Sequence, residues 1–298
     1  MTETFVRSGP LRLWTEQIGR RDHPAVLLIA GSSAQGIIFP DALVDRLVLR
    51  GAQVIRYDHR DTGRSSIVDF DRHPYGLSDL AADALAVLDA YELPSAHLAG
   101  VSMGGAIAQW LAVHESARVR SLTLLSTTPM SHDPGPVWQR AMTGQPADPD
   151  ELPPPTPRFL QHLADSDGTP PGLEADVSNF RAMNGDGRPF DEPAVRAMLQ
   201  RCQARATDPS AAAHHALIGR KKGPDLFAPL STIAAPTTIV HGDQDPLFTL
   251  AHGEALAAAI PGAHLHVVRG MGHGYFSPGL PELLADLISL DTGLLGSG

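Results

Sequence analysis

The 298-residue chain is 43% hydrophobic and 19% charged, an ordinary composition for a globular fold long enough to bury a sizeable core. Its formal charge of -10 is spread through the chain without a basic block, which argues against a polyanionic partner such as nucleic acid. The single cysteine, Cys202, rules out an internal disulfide and leaves no material for zinc ligation by cysteine clusters, and no apolar run approaches the length of a bilayer span.

The first ten residues lack the apolar stretch of a secretory signal, so a cytoplasmic protein without a membrane partner is expected. Residues 11–15 read as a weak first strand, and 25–30 (Ala-Val-Leu-Leu-Ile-Ala) as a strand buried on both faces. A helix is predicted over 41–49 and a strand over 54–57. Ser78 is a plausible N-cap for a helix whose Leu80, Ala84, Val87, Leu88 and Tyr91 fall on one face. Residues 96–101 read as a strand and 103–114 as a helix with Ile107, Ala108 and Leu111 at the spacing of one face. Strands are expected at 122–125, 237–240 and 265–268, with helices at 251–260 and 280–290. Apolar strands alternating with helices imply an α/β class with a mostly parallel sheet covered on both sides, whose ligands gather at the carboxyl ends of the strands.

Between Pro129 and Pro229 this rhythm stops, and prolines break up the helical patterns at 137–142, 173–183 and 194–205. A strandless stretch of that length is too large for a connecting loop. Trp138, Phe159, Phe180, Phe190, Met142, Met183 and Met198 give it more apolar mass than a solvated linker carries. Residues 129–228 are therefore expected to form a helical cap over a core made of 1–128 and 229–298, and the cap's aromatic and methionine content implies an apolar cavity.

Gly100-Val101-Ser102-Met103-Gly104 lies where the strand at 96–101 gives way to a helix. A serine at such a strand–turn–helix junction is held in a strained backbone conformation with its hydroxyl raised above the sheet, and flanking glycines allow the close packing this needs. Nucleophilic use of the hydroxyl requires a histidine to take its proton and a carboxylate to hold that histidine in one tautomer. His273, in Gly270-Met271-Gly272-His273-Gly274, follows one predicted strand, while Asp243 and Asp245 follow another. Among the other histidines, His59 is expected to make a structural hydrogen bond in the turn after a strand, and His214 and His215 take no chemical role. Asp58 and Asp61 are read as structural members of the same turn as His59.

The alternation of elements, the serine turn, the acid after a strand and the glycine-flanked last histidine together resemble the α/β-hydrolase superfamily, over the whole chain apart from the cap. Tyr57-Asp58-His59-Arg60-Asp61-Thr62-Gly63-Arg64-Ser65 is similar to that superfamily's Asp-x-Arg-Gly-x-Gly-x-Ser turn, with Asp61 where glycine is usual. With His73-Pro74-Tyr75-Gly76 it looks most like the aclacinomycin-type methylesterases of anthracycline biosynthesis. The resemblance implies a catalytic triad of Ser102, Asp245 and His273, with Asp245 favoured over Asp243 by the superfamily's spacing from Gly242 and by Pro246 fixing the turn. It also implies an oxyanion hole of the backbone N–H groups of Met103 and Ser32; many relatives carry His-Gly at positions 30 and 31, where this chain has Ala30-Gly31.

The implied activity is serine-dependent hydrolysis of a carboxylic ester through an acyl-enzyme, without metal or organic cofactor, on a small apolar or aromatic substrate that the resemblance narrows to a methyl ester of a polycyclic aromatic polyketide. A serine at 102 argues against the aspartate-nucleophile dehalogenases and epoxide hydrolases of the superfamily. Lactonase, perhydrolase and carbon–carbon bond hydrolase chemistry stay open, as does a ligand receptor that keeps the triad without turnover.

Overall fold

The computed structural model describes residues 2–146, 148–166, 168–220, 229–290 and 292. The last part of the expected cap, 221–228, and residues 291 and 293–298 of the expected core lie outside them.

Eight strands form one sheet in the order β1-β2-β4-β3-β5-β6-β7-β8: β1 (Thr2–Ser8), β2 (Leu11–Ile18), β3 (Ala25–Ile29), β4 (Gln53–Tyr57), β5 (Ala96–Val101), β6 (Val119–Leu125), β7 (Thr237–Gly242) and β8 (His264–Val268). From β4 to β8 every neighbouring pair is parallel, while β1 pairs with β2 and β2 with β4 antiparallel. The chain thus has the mostly parallel α/β sheet that the sequence implies.

The apolar strands of the sheet centre are explained by where alternate side chains go. On β3, Leu27 and Ile29 point into one core with Leu98, Leu122 and Ile239, whereas Val26 and Leu28 point into a second core with Val54, Ala99 and Val240. The first core is closed by α2 (Leu77–Ala90), α3 (Met103–His114) and α8 (Leu250–Ala259), the second by α1 (Asp41–Leu49) and α9 (Leu280–Ser289). With helices on both faces, a polar residue in these strands would be buried on either side, so no alternation survives. One exception is the cross-strand pair Glu16 and Arg56 on β2 and β4, buried and bonded at 2.6 Å, where each charge has its partner.

Two elements depart from the expectations at the start of the chain and before α2. β1 escapes sequence reading because only Phe5 and Val6 of its seven residues are apolar, so its strand character comes from pairing with β2 across the Gly9-Pro10 turn rather than from apolar pattern. The helix expected to be capped by Ser78 begins one residue before it, at Leu77, and its cap is Gly76, whose N–H is taken by the Asp79 carboxylate.

Between β6 and β7 the described residues hold four helices, α4 (Pro134–Met142), α5 (Pro157–Ser166), α6 (Leu173–Met183) and α7 (Glu192–Arg205), then a 3₁₀ stretch, Pro209–Arg220. Prolines start three of these helices, while Pro146, Pro149, Pro153, Pro154, Pro155, Pro170 and Pro171 lie in the breaks between helices. Pro134 and Pro136 lie in the first turn of α4, Pro157 opens α5 and Pro193 sits in the first turn of α7, positions whose N–H has no helical acceptor to lose. Asp133 and Asp191 cap α4 and α7 by accepting the N–H groups of Gly135 and Ala194. Phe180, Met183 and Met198 face inward as expected, but Met142 is exposed. Among the described residues no helix is long and apolar enough to cross a membrane.

Leu122, fully buried in the middle of the sheet, and Leu49, exposed at the end of α1, give a direct contrast. Leu122→Ala is expected to lower stability by about 3 kcal/mol and Leu49→Ala by less than about 0.5 kcal/mol, measured by urea denaturation.

Candidate active site

The serine turn is built by close backbone packing. Ser102 stands between β5 and α3 with φ 54 and ψ -119, a conformation L-residues rarely adopt. Its N–H donates to the Leu125 carbonyl at 3.0 Å, and its own carbonyl accepts from the Thr127 hydroxyl at 2.7 Å and the Gly105 N–H at 2.9 Å. A Cβ on Gly100 would fall on the Gly104 carbonyl, and one on Gly104 would fall on the carbonyl of Ile29. Glycine at both positions therefore lets the start of α3 sit directly against the ends of β5 and β3, and the strain at Ser102 is held by the bonds around it.

The acid and the histidine arrive from the next two strands. Asp245, buried in the loop after β7, accepts the N–H groups of Leu247 and Phe248 on Oδ1, each at 2.9 Å. Its Oδ2 lies 2.8 Å from Nδ1 of His273, in the loop after β8. With the acid's first oxygen occupied by two amides, the second is fixed in place to receive the Nδ1–H. His241, at the end of β7, stands 3.6 Å from the same Oδ2 and donates its Nε2–H to the Phe248 carbonyl at 2.7 Å. Burial lowers the His241 pKa, which keeps this ring neutral beside the carboxylate.

Gly272, just before His273, has the same explanation as the glycines around Ser102, whereas a Cβ on Gly274 would meet only an ordinary contact with Phe276. The His273 N–H donates to the Met183 carbonyl at the end of α6, and a Cβ on Gly272 would overlap that carbonyl. Asp243, the less favoured acid, is exposed but accepts the Gly270 N–H at 2.6 Å and so pins the entry to the histidine loop. Asp243 and Asp245 divide the work: one holds the loop's backbone, the other the imidazole.

Of the two expected oxyanion donors, Met103 is the first residue of α3, so its N–H belongs to the helix's unsatisfied first turn, where the dipole favours negative charge. Ser32 lines the same cavity as Ser102 and His273, and a Cβ on its neighbour Gly31 would stand 3.4 Å from that of Ser102. The structure thus brings Ser102, His273 and Ser32 to one cavity, with Asp245 behind His273 and Met103 following Ser102. His59 makes the structural bond expected of it: its Nε2 reaches the Ala30 carbonyl at 3.0 Å. Burial lowers its pKa to about 4, so the ring is neutral.

The turn after β4 is held by its carboxylates. Asp58 accepts the N–H groups of Gly36 and Arg64 and pairs with Arg205 of α7. Asp61 has φ 66, which accounts for glycine being usual at this place in the resembling turn; aspartate tolerates that conformation better than most side chains. Its carboxylate takes the Val68 N–H at 2.6 Å, the Tyr75 hydroxyl at 2.7 Å and His214 Nδ1 at 3.0 Å. His214 and His215, to which the sequence assigns no chemical role, both turn inward to this region.

The cavity above Ser102 is about 770 Å³, within the range of small-molecule sites. Its apolar wall comes from Phe180 and Met183 of α6, Met198 and Leu199 of α7, and Tyr275 and Phe276 beyond His273. Cys202, on the same wall, is half-buried and its thiol is pushed up to about 11 by burial, so it stays protonated and unreactive.

A family model described as the alpha/beta hydrolase fold matches residues 24–279. A rhodomycin D methylesterase of Streptomyces peucetius is 38% identical over 283 residues, spanning 92% of each chain. A counterpart from a second Streptomyces is 37% identical, with 92% of both chains covered. Among solved structures, a hydrolase from Pseudomonas aeruginosa superposes with a TM-score of 0.71 at 25% identity, over 99% of this chain and 98% of the other.

Buried neutral histidines make the site sensitive to acid. His59 and His215 are held near pKa 4 by burial, against about 6.5 in an unfolded chain, so the unfolded state binds more protons between those values. Their contribution is complete above about pH 6.5 and is lost as pH falls toward 4; together they are expected to remove about 4 kcal/mol of stability between pH 7 and pH 5. Urea midpoints across that interval check this, and a flat profile would contradict it.

Proposed function

The chain belongs to the α/β-hydrolase fold family, and from that membership and the shape of its cavity we propose that it hydrolyses the methyl ester of a large, apolar aromatic acid by way of a serine acyl-enzyme. The observation that carries this reading is the 2.8 Å contact between His273 Nδ1 and Asp245 Oδ2 at the edge of the cavity that Ser102 also lines. With Nδ1 committed to the carboxylate, Nε2 is the ring's free acceptor.

In this reading His273 removes the Ser102 proton as the hydroxyl attacks the ester carbonyl, and Asp245 stabilises the imidazolium that results. The N–H groups of Met103 and Ser32 receive the oxygen that becomes negative in the tetrahedral intermediate. His273 then gives its proton to the departing alkoxide, so that methanol leaves and the acyl group stays on Ser102. A water deprotonated by His273 attacks this acyl-enzyme, and collapse of the second tetrahedral intermediate returns the proton to Ser102 and frees the acid. No step calls for a metal or organic cofactor.

The substrate class is supported from two sides. The Streptomyces relatives act, by name, on the ester of rhodomycin D, and they match nearly the full length of this chain. The helices between β6 and β7 serve as the cap of this proposal, with α6 and α7 supplying flat and flexible apolar side chains, Phe180, Met183 and Met198, against which a fused ring system packs. Residues 129–228 are the cap and 1–128 with 229–298 the hydrolase core.

Ser102→Ala is expected to reduce hydrolysis of a chromogenic ester by about 10³-fold or more, and Asp245→Asn by about 10³- to 10⁴-fold, both in multiple-turnover assays. In a panel pairing methyl, ethyl and butyl alcohols with large and small acids, methyl esters of large aromatic acids should give the highest kcat/KM. Turnover by Ser102→Ala equal to the wild type would refute the serine mechanism, a single turnover would favour the receptor, and a preference for lactones or small acids would overturn the substrate class.

A further inference from the structure

The turn that carries Ser32 is anchored from the helical segment as well as from the sheet. Ser33 has φ 60, a left-handed conformation that a non-glycine residue keeps only when its surroundings hold it. Two bonds do so: the Ser33 N–H donates to His215 Nδ1 at 2.9 Å, and the Ser33 hydroxyl donates to the Ala212 carbonyl at 2.8 Å. Both partners belong to the 3₁₀ stretch Pro209–Arg220, about 180 residues further along the chain.

The tautomer of His215 follows from its neighbours. A backbone N–H can only donate, so Nδ1 carries a lone pair; Nε2 carries the proton and donates it to the Arg60 carbonyl at 3.0 Å. The ring is buried, edge-on to His59 at 5.7 Å and to Tyr75 at 6.3 Å. His59 in turn donates Nε2–H to the Ala30 carbonyl. Two neutral imidazoles therefore bracket Gly31-Ser32, one fixing the carbonyl before it and one the N–H after it, while Gly31 itself abuts Ser102.

We infer that His215 is a positioning residue for ester hydrolysis: by accepting the Ser33 N–H it holds the Gly31–Ser33 turn with the Ser32 amide directed at the developing oxyanion, an inference that rests on the serine mechanism proposed above. The helical segment then contributes to transition-state stabilisation as well as to the walls of the cavity. Burial and the neighbouring His59 lower the His215 pKa to about 4, so the acceptor nitrogen stays bare at neutral pH. Because an oxyanion donor is used fully only once charge develops, loss of the anchor acts on kcat more than on KM.

Three variants separate the two ring nitrogens. His215→Asn keeps an acceptor near the place of Nδ1, His215→Gln keeps a donor near that of Nε2, and His215→Leu keeps neither. With a chromogenic methyl ester, kcat of His215→Leu and His215→Gln is expected to fall ~10- to 100-fold with KM changed less than about 3-fold, whereas His215→Asn recovers to within about 5-fold of the wild type. Amide hydrogen exchange at Ser33, read by NMR, should accelerate in the leucine and glutamine variants and remain slow in the asparagine variant. Should His215→Leu not fold, the Asn and Gln pair makes the same comparison. Unchanged kcat with accelerated Ser33 exchange, or equal losses in Asn and Gln, would overturn the positioning role. Failure of the serine mechanism is distinguished by the Ser102→Ala control, which would then retain turnover while the exchange readout still reports on the anchor.

Discussion

Everything at the carboxyl edge of this sheet depends on how closely the first turn of α3 approaches the ends of β3 and β5. Gly100 and Gly104 remove the two side-chain positions that would hold the backbones apart, and the chain then has to turn through a left-handed residue at Ser102 to enter the helix. That one constraint raises the hydroxyl from the sheet, places the Met103 N–H at a helix start and brings the Gly31 turn against the Ser102 Cβ. Removing the close approach would displace Ser102 and the oxyanion donors proposed for it together, since both are consequences of the same backbone path.

Around this fixed point, loops of irregular shape are tied down by buried imidazoles that act as neutral donors. His59 donates to the Ala30 carbonyl, His215 to that of Arg60, His241 to that of Phe248, and His252 reaches the Pro153 carbonyl. In all four, burial lowers the pKa, so each ring offers one N–H and one acceptor without bringing charge into the apolar interior. A lysine or arginine in these places would need a buried counter-ion; a neutral histidine needs only a carbonyl. The carboxylates Asp58, Asp61, Asp243 and Asp245 do the complementary work, accepting backbone N–H groups in turns.

The sheet and most of its covering helices are legible in the sequence because each central strand is buried on both faces and helices such as α2 and α9 carry one apolar stripe. β1 is not, since its mostly polar residues, with only Phe5 and Val6 apolar, show no strand pattern. α5 is hidden by the prolines ahead of it, residues that end helices in the interior and begin them at the first turn. Ser102, Asp245 and His273 stand out because each follows a readable strand and is marked by glycine or proline. The role of His215 could not be read, because its partners Ser33 and Arg60 are distant in sequence and it lies in a 3₁₀ stretch with no apolar period of its own. Asp61 was visible only as a departure from glycine; its φ of 66 supplies the reason that glycine is usual and shows what aspartate adds, a carboxylate that gathers Tyr75 and His214.

The central claim is that the Ser102 hydroxyl is reactive because His273, fixed by Asp245, can take its proton. A fluorophosphonate reagent followed by intact-mass measurement and peptide mapping tests it directly. The account predicts one label per chain, located on Ser102, formed in proportion to loss of esterase activity and greatly slowed in His273→Ala. Labelling elsewhere with Ser102 free, or full activity in protein whose Ser102 is completely modified, would contradict it.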